Sequence, residues 1–202
     1  MKLILTSDGL TSRKIRREFL RLLGKPPSES RVLIMHTAKL RRHFGYIREI
    51  KKNLIRLGIK DTNIVEANIN KKIKAKNYKG FDIFYSCGGN TFHILDRVRK
   101  TGFDRFIKNF IKSNRLYIGV SAGSIIVHKT IEIAGYGKHG DKNNIKLRDL
   151  RGLDVIKTAI LPHYKIKLRK DANNFRKKVE YPVMELRDGQ ALVIYGKKVK
   201  KC

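Results

Sequence analysis

Apolar runs of strand length alternate with stretches of helical period through the first 125 residues, and this alternation constrains the fold more than any other feature. Lys2–Thr6, Arg31–His36, Asn63–Glu66, Asp82–Ser86 and Tyr117–Val120 read as strands. Between them, Thr11 or Ser12 caps a helix that runs to Leu23 and closes at Gly24. A second helix spans about His43 to Leu57 and stops at Gly58, and Thr91–Arg99 and Phe103–Ile111 carry helical spacing. Strand-helix alternation of this kind predicts an α/β fold: a mostly parallel, doubly wound sheet with helices on both faces.

The last quarter has another character. Asp154–Leu161 reads as extended and Asp171–Val179 as helical. Val183–Leu186 and Ala191–Tyr195 read as two strands of a small late β-hairpin, with Asp188-Gly189 as its turn. Gly135–Arg151 has no clear period and several Gly and Asn, which predicts a surface loop. No repeat or linker divides the 202 residues, so one domain is expected.

Composition excludes several function classes. No apolar stretch approaches the roughly 20 residues of a membrane span, and the first run, Leu3–Leu5, is too short for a signal peptide. A cytoplasmic protein with no membrane partner is expected. Two cysteines, Cys87 and Cys202, give neither a disulfide framework nor zinc-ligand spacing. The net charge of +30 would attract polyanions. Its basic clusters (Arg13–Arg17, Lys71–Lys76, Lys165–Lys170 and Lys197–Lys201) are scattered and lack interleaved aromatics. Weak, non-specific nucleic-acid contact fits that pattern better than a dedicated binding surface.

Gly119-Val120-Ser121-Ala122-Gly123 matches G-x-S-x-G between an apolar strand and a plausible helix beginning at Ile125. In such a turn the serine Oγ stands above the sheet, and small neighbours are required because side chains there would strike backbone. The helix N-terminus adds free N–H groups and a positive dipole end. A phosphate-binding turn of the same shape is the competing reading. Gly88-Gly89-Asn90 also ends a strand, so it opens at the same carboxyl edge as Ser121. The Gly89 and Ala122 amides are therefore candidates for a two-donor oxyanion hole. A serine needs a base, and of the six histidines His163 has the most suggestive context, after the apolar run Ala159–Leu161 and Pro162. His36, His43, His93, His128 and His139 have none that points to catalysis.

Three segments, Cys87-Gly-Gly-Asn-Thr-Phe92, Tyr117-Ile-Gly-Val-Ser-Ala-Gly-Ser124 and Pro162-His163-Tyr164, resemble peptidase E, the α-aspartyl dipeptidase group of the S51 serine peptidases. Cyanophycinases belong to the same group. The resemblance runs from the first strand to about Tyr195, with the motifs in family order. It implies a class I glutamine amidotransferase-like fold, Ser121 as nucleophile, His163 as base, and Gly89 and Ala122 at the oxyanion hole. Two acids match the third triad position: Asp188 near the late turn, which is favoured, and Asp141 in the preceding loop. Arginines that hold the substrate's aspartyl carboxylate are expected after His163, where Arg169 and Arg176 are the candidates. Cys87 stands where the family has a third glycine, and Leu161 stands where it has Asn before Pro162.

The expected function is hydrolysis of short peptides, with N-terminal aspartyl dipeptides as substrates and no metal or organic cofactor. Two rivals stay open: a basic nucleic-acid-binding protein on the same scaffold, and a family member that binds a small ligand without turnover.

Overall fold

Strand pairing places every chemically suggestive turn at one edge of the molecule. The computed structural model describes residues 1–37, 44–71 and 74–202. His43, the expected start of the second helix, and Lys72 of the second basic cluster lie outside the described residues.

The main sheet has seven strands: β1 (Lys2–Thr6), β2 (Val32–His36), β3 (Ile64–Asn68), β4 (Ile83–Ser86), β5 (Leu116–Val120), β8 (Ala191–Tyr195) and β9 (Lys198–Lys201). Their order is β3-β2-β4-β5-β1-β8-β9. The first five in that order run parallel, whereas β8 is antiparallel to β1 and β9 antiparallel to β8. The helices are α1 (Arg13–Leu23), α2 (Phe44–Arg56), α3 (Thr91–Thr101), α4 (Phe103–Lys112), α5 (Ala122–Ile125) and α6 (Arg169–Arg176). A second, parallel pair, β6 (Ala159–Leu161) and β7 (Val183–Glu185), lies outside the main sheet.

The alternation of strand side chains builds two cores. Leu3 and Leu5 of β1 join one cluster with Phe84, Tyr117 and the apolar faces of α3 and α4. Ile4 between them joins the other, with Ile34, Ile118 and residues of α1 and α2. Phe84 and Tyr117 stack across β4 and β5 with centroids 5.8 Å apart. Each such fully buried apolar side chain is worth about 1.5–3 kcal/mol relative to exposure. Helix ends follow the sequence signals: the Ser12 hydroxyl accepts from Ile15 N at 3.3 Å, and Gly24 closes α1 at φ 70°.

Two expectations need correction. The late hairpin is β8–β9, turning at Gly196, and not a pairing of the strands flanking Asp188-Gly189. Those strands separate: β7 pairs with β6, and β8 pairs with β1. The helix after Ser121 begins at Ala122, not Ile125, and ends after four residues. Beyond it, the carbonyls of Ile126, Val127, His128 and Lys129 accept hydrogen bonds from the 152–156 segment instead of from a continuing helix.

Candidate active site

Ser121 caps β5 in a conformation that L-residues rarely adopt, φ 50° and ψ −111°. Such a backbone costs about 1–3 kcal/mol and persists only when its surroundings over-determine it. Here they do. Ser121 N donates to Thr6 O at 3.0 Å, and Ser124 Oγ donates toward Thr6 O and Gly119 O, each at 2.8 Å. Tyr117 Oη donates to Gly123 O at 2.7 Å. A Cβ at Gly119 would come within 2.6 Å of Gly123 O, so the close crossing of strand and turn requires glycine there.

The candidate base and acid arrive from loops outside the main sheet. His163 follows β6 at φ 54°, and its Nε2 lies 3.0 Å from Ser121 Oγ. Its Nδ1 lies 2.7 Å from Asp188 Oδ1. With Nδ1–H donating to the ionised carboxylate, Nε2 is left as acceptor for the Ser121 hydroxyl. Burial by itself would raise the Asp188 carboxyl, but hydrogen bonds from Ser7 and His163, with the charges of His163 and Lys165, hold it below the usual aspartate value. Asp188 therefore stays ionised.

Asp141, the other candidate acid, lines a recess beside Ser121 but bonds to Thr91 instead of His163. Its Oδ2 accepts from Thr91 N at 2.8 Å and from Thr91 Oγ1 at 2.7 Å, tying the 135–151 loop to the start of α3. Asn90 Nδ2 reinforces that tie by donating to Lys142 O at 2.9 Å. Neither arginine candidate reaches the serine. Arg176 Nη2 is engaged by Glu185 Oε1 at 2.6 Å, and exposed Arg169 opens α6; neither lines a recess beside Ser121.

Gly88 and Gly89 arch beside Ser121: a Cβ at Gly88 would lie 4.0 Å from Ser121 Oγ, and Gly89 has φ 142°. Ala122 is the first residue of α5, where a backbone N–H has no intrahelical acceptor. A one-turn helix carries little macrodipole, so any oxyanion stabilisation falls to the amides themselves.

Two recesses flank Ser121 among the described residues. The larger, about 670 Å³, is walled by Asp8, His36, Tyr46, Cys87 and His93. Burial pushes the Cys87 thiol far up, so it stays protonated and offers no competing nucleophile. The smaller, about 280 Å³, lies between Ser121, His163, His139, Asp141, Lys165 and Lys167. Sequence reasoning missed Ser7 and Asp8, which meet the His163 and Asp188 loops, and the two lysines. The position of Ser7 immediately after β1, at the strand ends where sites of such sheets lie, was the available signal.

Residues 3–202 match the profile of peptidase family S51, and the chain belongs to that family. An uncharacterized peptidase of Listeria innocua is 31% identical over 119 residues, covering 59% of this chain and 56% of the relative. The chain thus matches little more than half the length of that curated relative. An uncharacterized peptidase of Pasteurella multocida is 28% identical over 148 residues, 72% of this chain and 70% of the relative. Peptidase E of a Nostoc species is 34% identical over 77 residues, 38% of this chain and 30% of the relative. Among solved structures, a Listeria monocytogenes protein named after peptidase E superposes with TM-score 0.81 at 24% identity, covering 100% of this chain and 97% of that one. It shares the mostly parallel α/β fold.

Proposed function

We propose that this chain is a serine peptidase that cleaves short peptides, with N-terminal α-aspartyl dipeptides as its substrate class. The observation that carries the reading is the continuous relay from Ser121 Oγ through His163 to Asp188, at 3.0 and 2.7 Å. An imidazole bonded on one side to a serine and on the other to a carboxylate is equipped for acyl transfer.

In the first half-reaction Ser121 Oγ attacks the scissile carbonyl carbon and its proton passes to His163 Nε2. The carbonyl oxygen becomes an oxyanion received by the Gly89 and Ala122 amides. His163 then delivers the proton to the leaving amine, and the C–N bond breaks to leave an acyl-Ser121 ester. Water, deprotonated by the same imidazole, hydrolyses that ester and restores the serine. Asp188 stays ionised and fixes the imidazole tautomer throughout.

The preference for an acidic N-terminal residue rests on Lys165 and Lys167, which line the smaller recess beside the nucleophile. They take the carboxylate-binding role in place of Arg169 and Arg176. A dipeptide panel tests this: Asp-Leu should be cleaved, and Asn-Leu, which keeps the shape and loses the charge, should be cleaved far more slowly. Lys165→Ala together with Lys167→Ala should narrow the gap. Equal rates for Asp-Leu and Asn-Leu in the parent protein would remove the aspartyl specificity while leaving the peptidase reading to its own test.

A further inference from the structure

Ser7 is fully buried and follows the last residue of β1, yet its hydroxyl touches both partners of the nucleophile. Its Oγ donates to Asp188 Oδ1 at 2.7 Å, and the same oxygen accepts from His163 N at 2.8 Å. The hydroxyl has one proton, and the carboxylate takes it. The 3.4 Å approach of Oγ to His163 Nδ1 is then a by-product, since the Nδ1 proton is directed at Asp188.

We infer that Ser7 is a fourth, positioning member of the catalytic relay, orienting Asp188 and through it the His163 imidazole. Three observations support this. The Asp188 side chain is 52% exposed, so without a second donor its carboxylate could turn toward water and release Nδ1. With Ser7 and His163 both donating to Oδ1, that rotation would break two hydrogen bonds at once. His163 occupies a left-handed backbone conformation, and its N–H bond to Ser7 helps hold it there.

The end of β1 ties together the rest of the machinery as well. Thr6 O accepts from Ser121 N at 3.0 Å, Ser7 N donates to Gln190 O at 3.2 Å, and Asp8 Oδ1 accepts from Gly189 N at 2.8 Å. One three-residue segment therefore holds the serine turn, the histidine backbone and the acid turn from Asp188 to Gln190. Ser7 alone in that segment uses its side chain on two triad members. This is a positioning role: the hydroxyl is spent on Asp188 and His163 and reaches the reacting atoms only through them.

The role rests on Ser121 being the nucleophile, so the test reads both. The rate of covalent labelling by a fluorophosphonate is measured for the parent, Ser7→Ala, Asp188→Ala and the double variant, each at matched folded fraction. The parent should label, and Ser7→Ala should label on the order of 10- to 100-fold more slowly, the scale of a sub-ångström to 1 Å misplacement. In the Asp188→Ala background, removing the Ser7 hydroxyl should slow labelling by less than about 3-fold, because residues acting as one unit are not additive. If Ser7→Ala does not fold, Ser7→Cys, which keeps most of the volume with a weak donor, carries the same expectation. Parental labelling rates in the Ser7 variant, or equal slowing in both backgrounds, would overturn the inference. An unlabelled parent would instead overturn the nucleophile assignment.

Discussion

Gly123→Ala is the substitution for which the structure gives the sharpest expectation. A Cβ at this position would lie 2.7 Å from Ser86 Oγ and 2.9 Å from Ser86 Cβ, and closer still to the Ser86 carbonyl oxygen. Carbon atoms in van der Waals contact sit about 3.5–4.0 Å apart, so one body must move by about 0.6–1.1 Å. Strand β4 is hydrogen-bonded on both sides, to β2 and β5, with Ser86 opposite Met35 and Gly119, and it resists displacement. The shift therefore falls on the one-turn helix α5 and on Ser121, two residues away. Overpacking of this kind costs about 1–3 kcal/mol, or about 2–12 °C in Tm for a chain of this size. A 1 Å displacement of the nucleophile costs about 100-fold in rate. Fluorophosphonate labelling with thermal denaturation reads both effects, and Gly45→Ala is the control, since a Cβ there meets nothing within 4 Å. If Gly123→Ala labels at the parental rate with unchanged Tm, the reasoning from the tight turn is wrong.

Other expectations follow from the same geometry. Asp188→Asn should lower turnover by on the order of 10⁴-fold by stabilising the wrong imidazole tautomer. Asp141→Ala should leave Ser121 labelling within a few-fold of parent and cost about 1 kcal/mol of stability, as loss of a helix-capping acceptor does. The Asp188 carboxyl is depressed in the folded state, so its stabilisation is fully present above the unfolded value near pH 4 and is lost as pH falls through the lower folded value. The Tm difference between parent and Asp188→Asn should accordingly be constant above about pH 5 and shrink below about pH 4. DNA retention, measured by gel retardation, should be weak, indifferent to sequence and steeply reduced by salt; tight selective binding at physiological salt would make the basic surface a function of its own.

The five parallel strands were legible because each is a short apolar run bounded by turn residues, and the serine turn because its glycines are forced by backbone contact. The partner of a strand is not written in its own residues, which is why Asp188-Gly189 looked like a hairpin turn. Ala191–Ile194 is buried throughout and pairs with β1, whereas Val183–Glu185 is half-buried and pairs with β6. Strand β9 is nearly all lysine, so it reads as a basic tail although it completes the sheet edge. The early end of the helix after Ser121 was not legible, because nothing local in Ile125–His128 announces that a segment some 25 residues later will take the carbonyls there. Asp141 and Asp188 had similar local context, and only the fold sends one to Thr91 and the other to His163. Ser7 had no local signature beyond its place after a strand. Lys165 and Lys167 stood in a basic run whose facing was set by the loop after His163.

The central claim is that Ser121 is the nucleophile, and it has a direct measurement. The parent protein is incubated with a fluorophosphonate, digested, and the modified peptide located by mass spectrometry. The account predicts a single adduct on Ser121, absent in Ser121→Ala, with dipeptide hydrolysis lost in parallel by on the order of 10³-fold or more. An adduct on another residue, or hydrolysis that survives intact in Ser121→Ala, would contradict it.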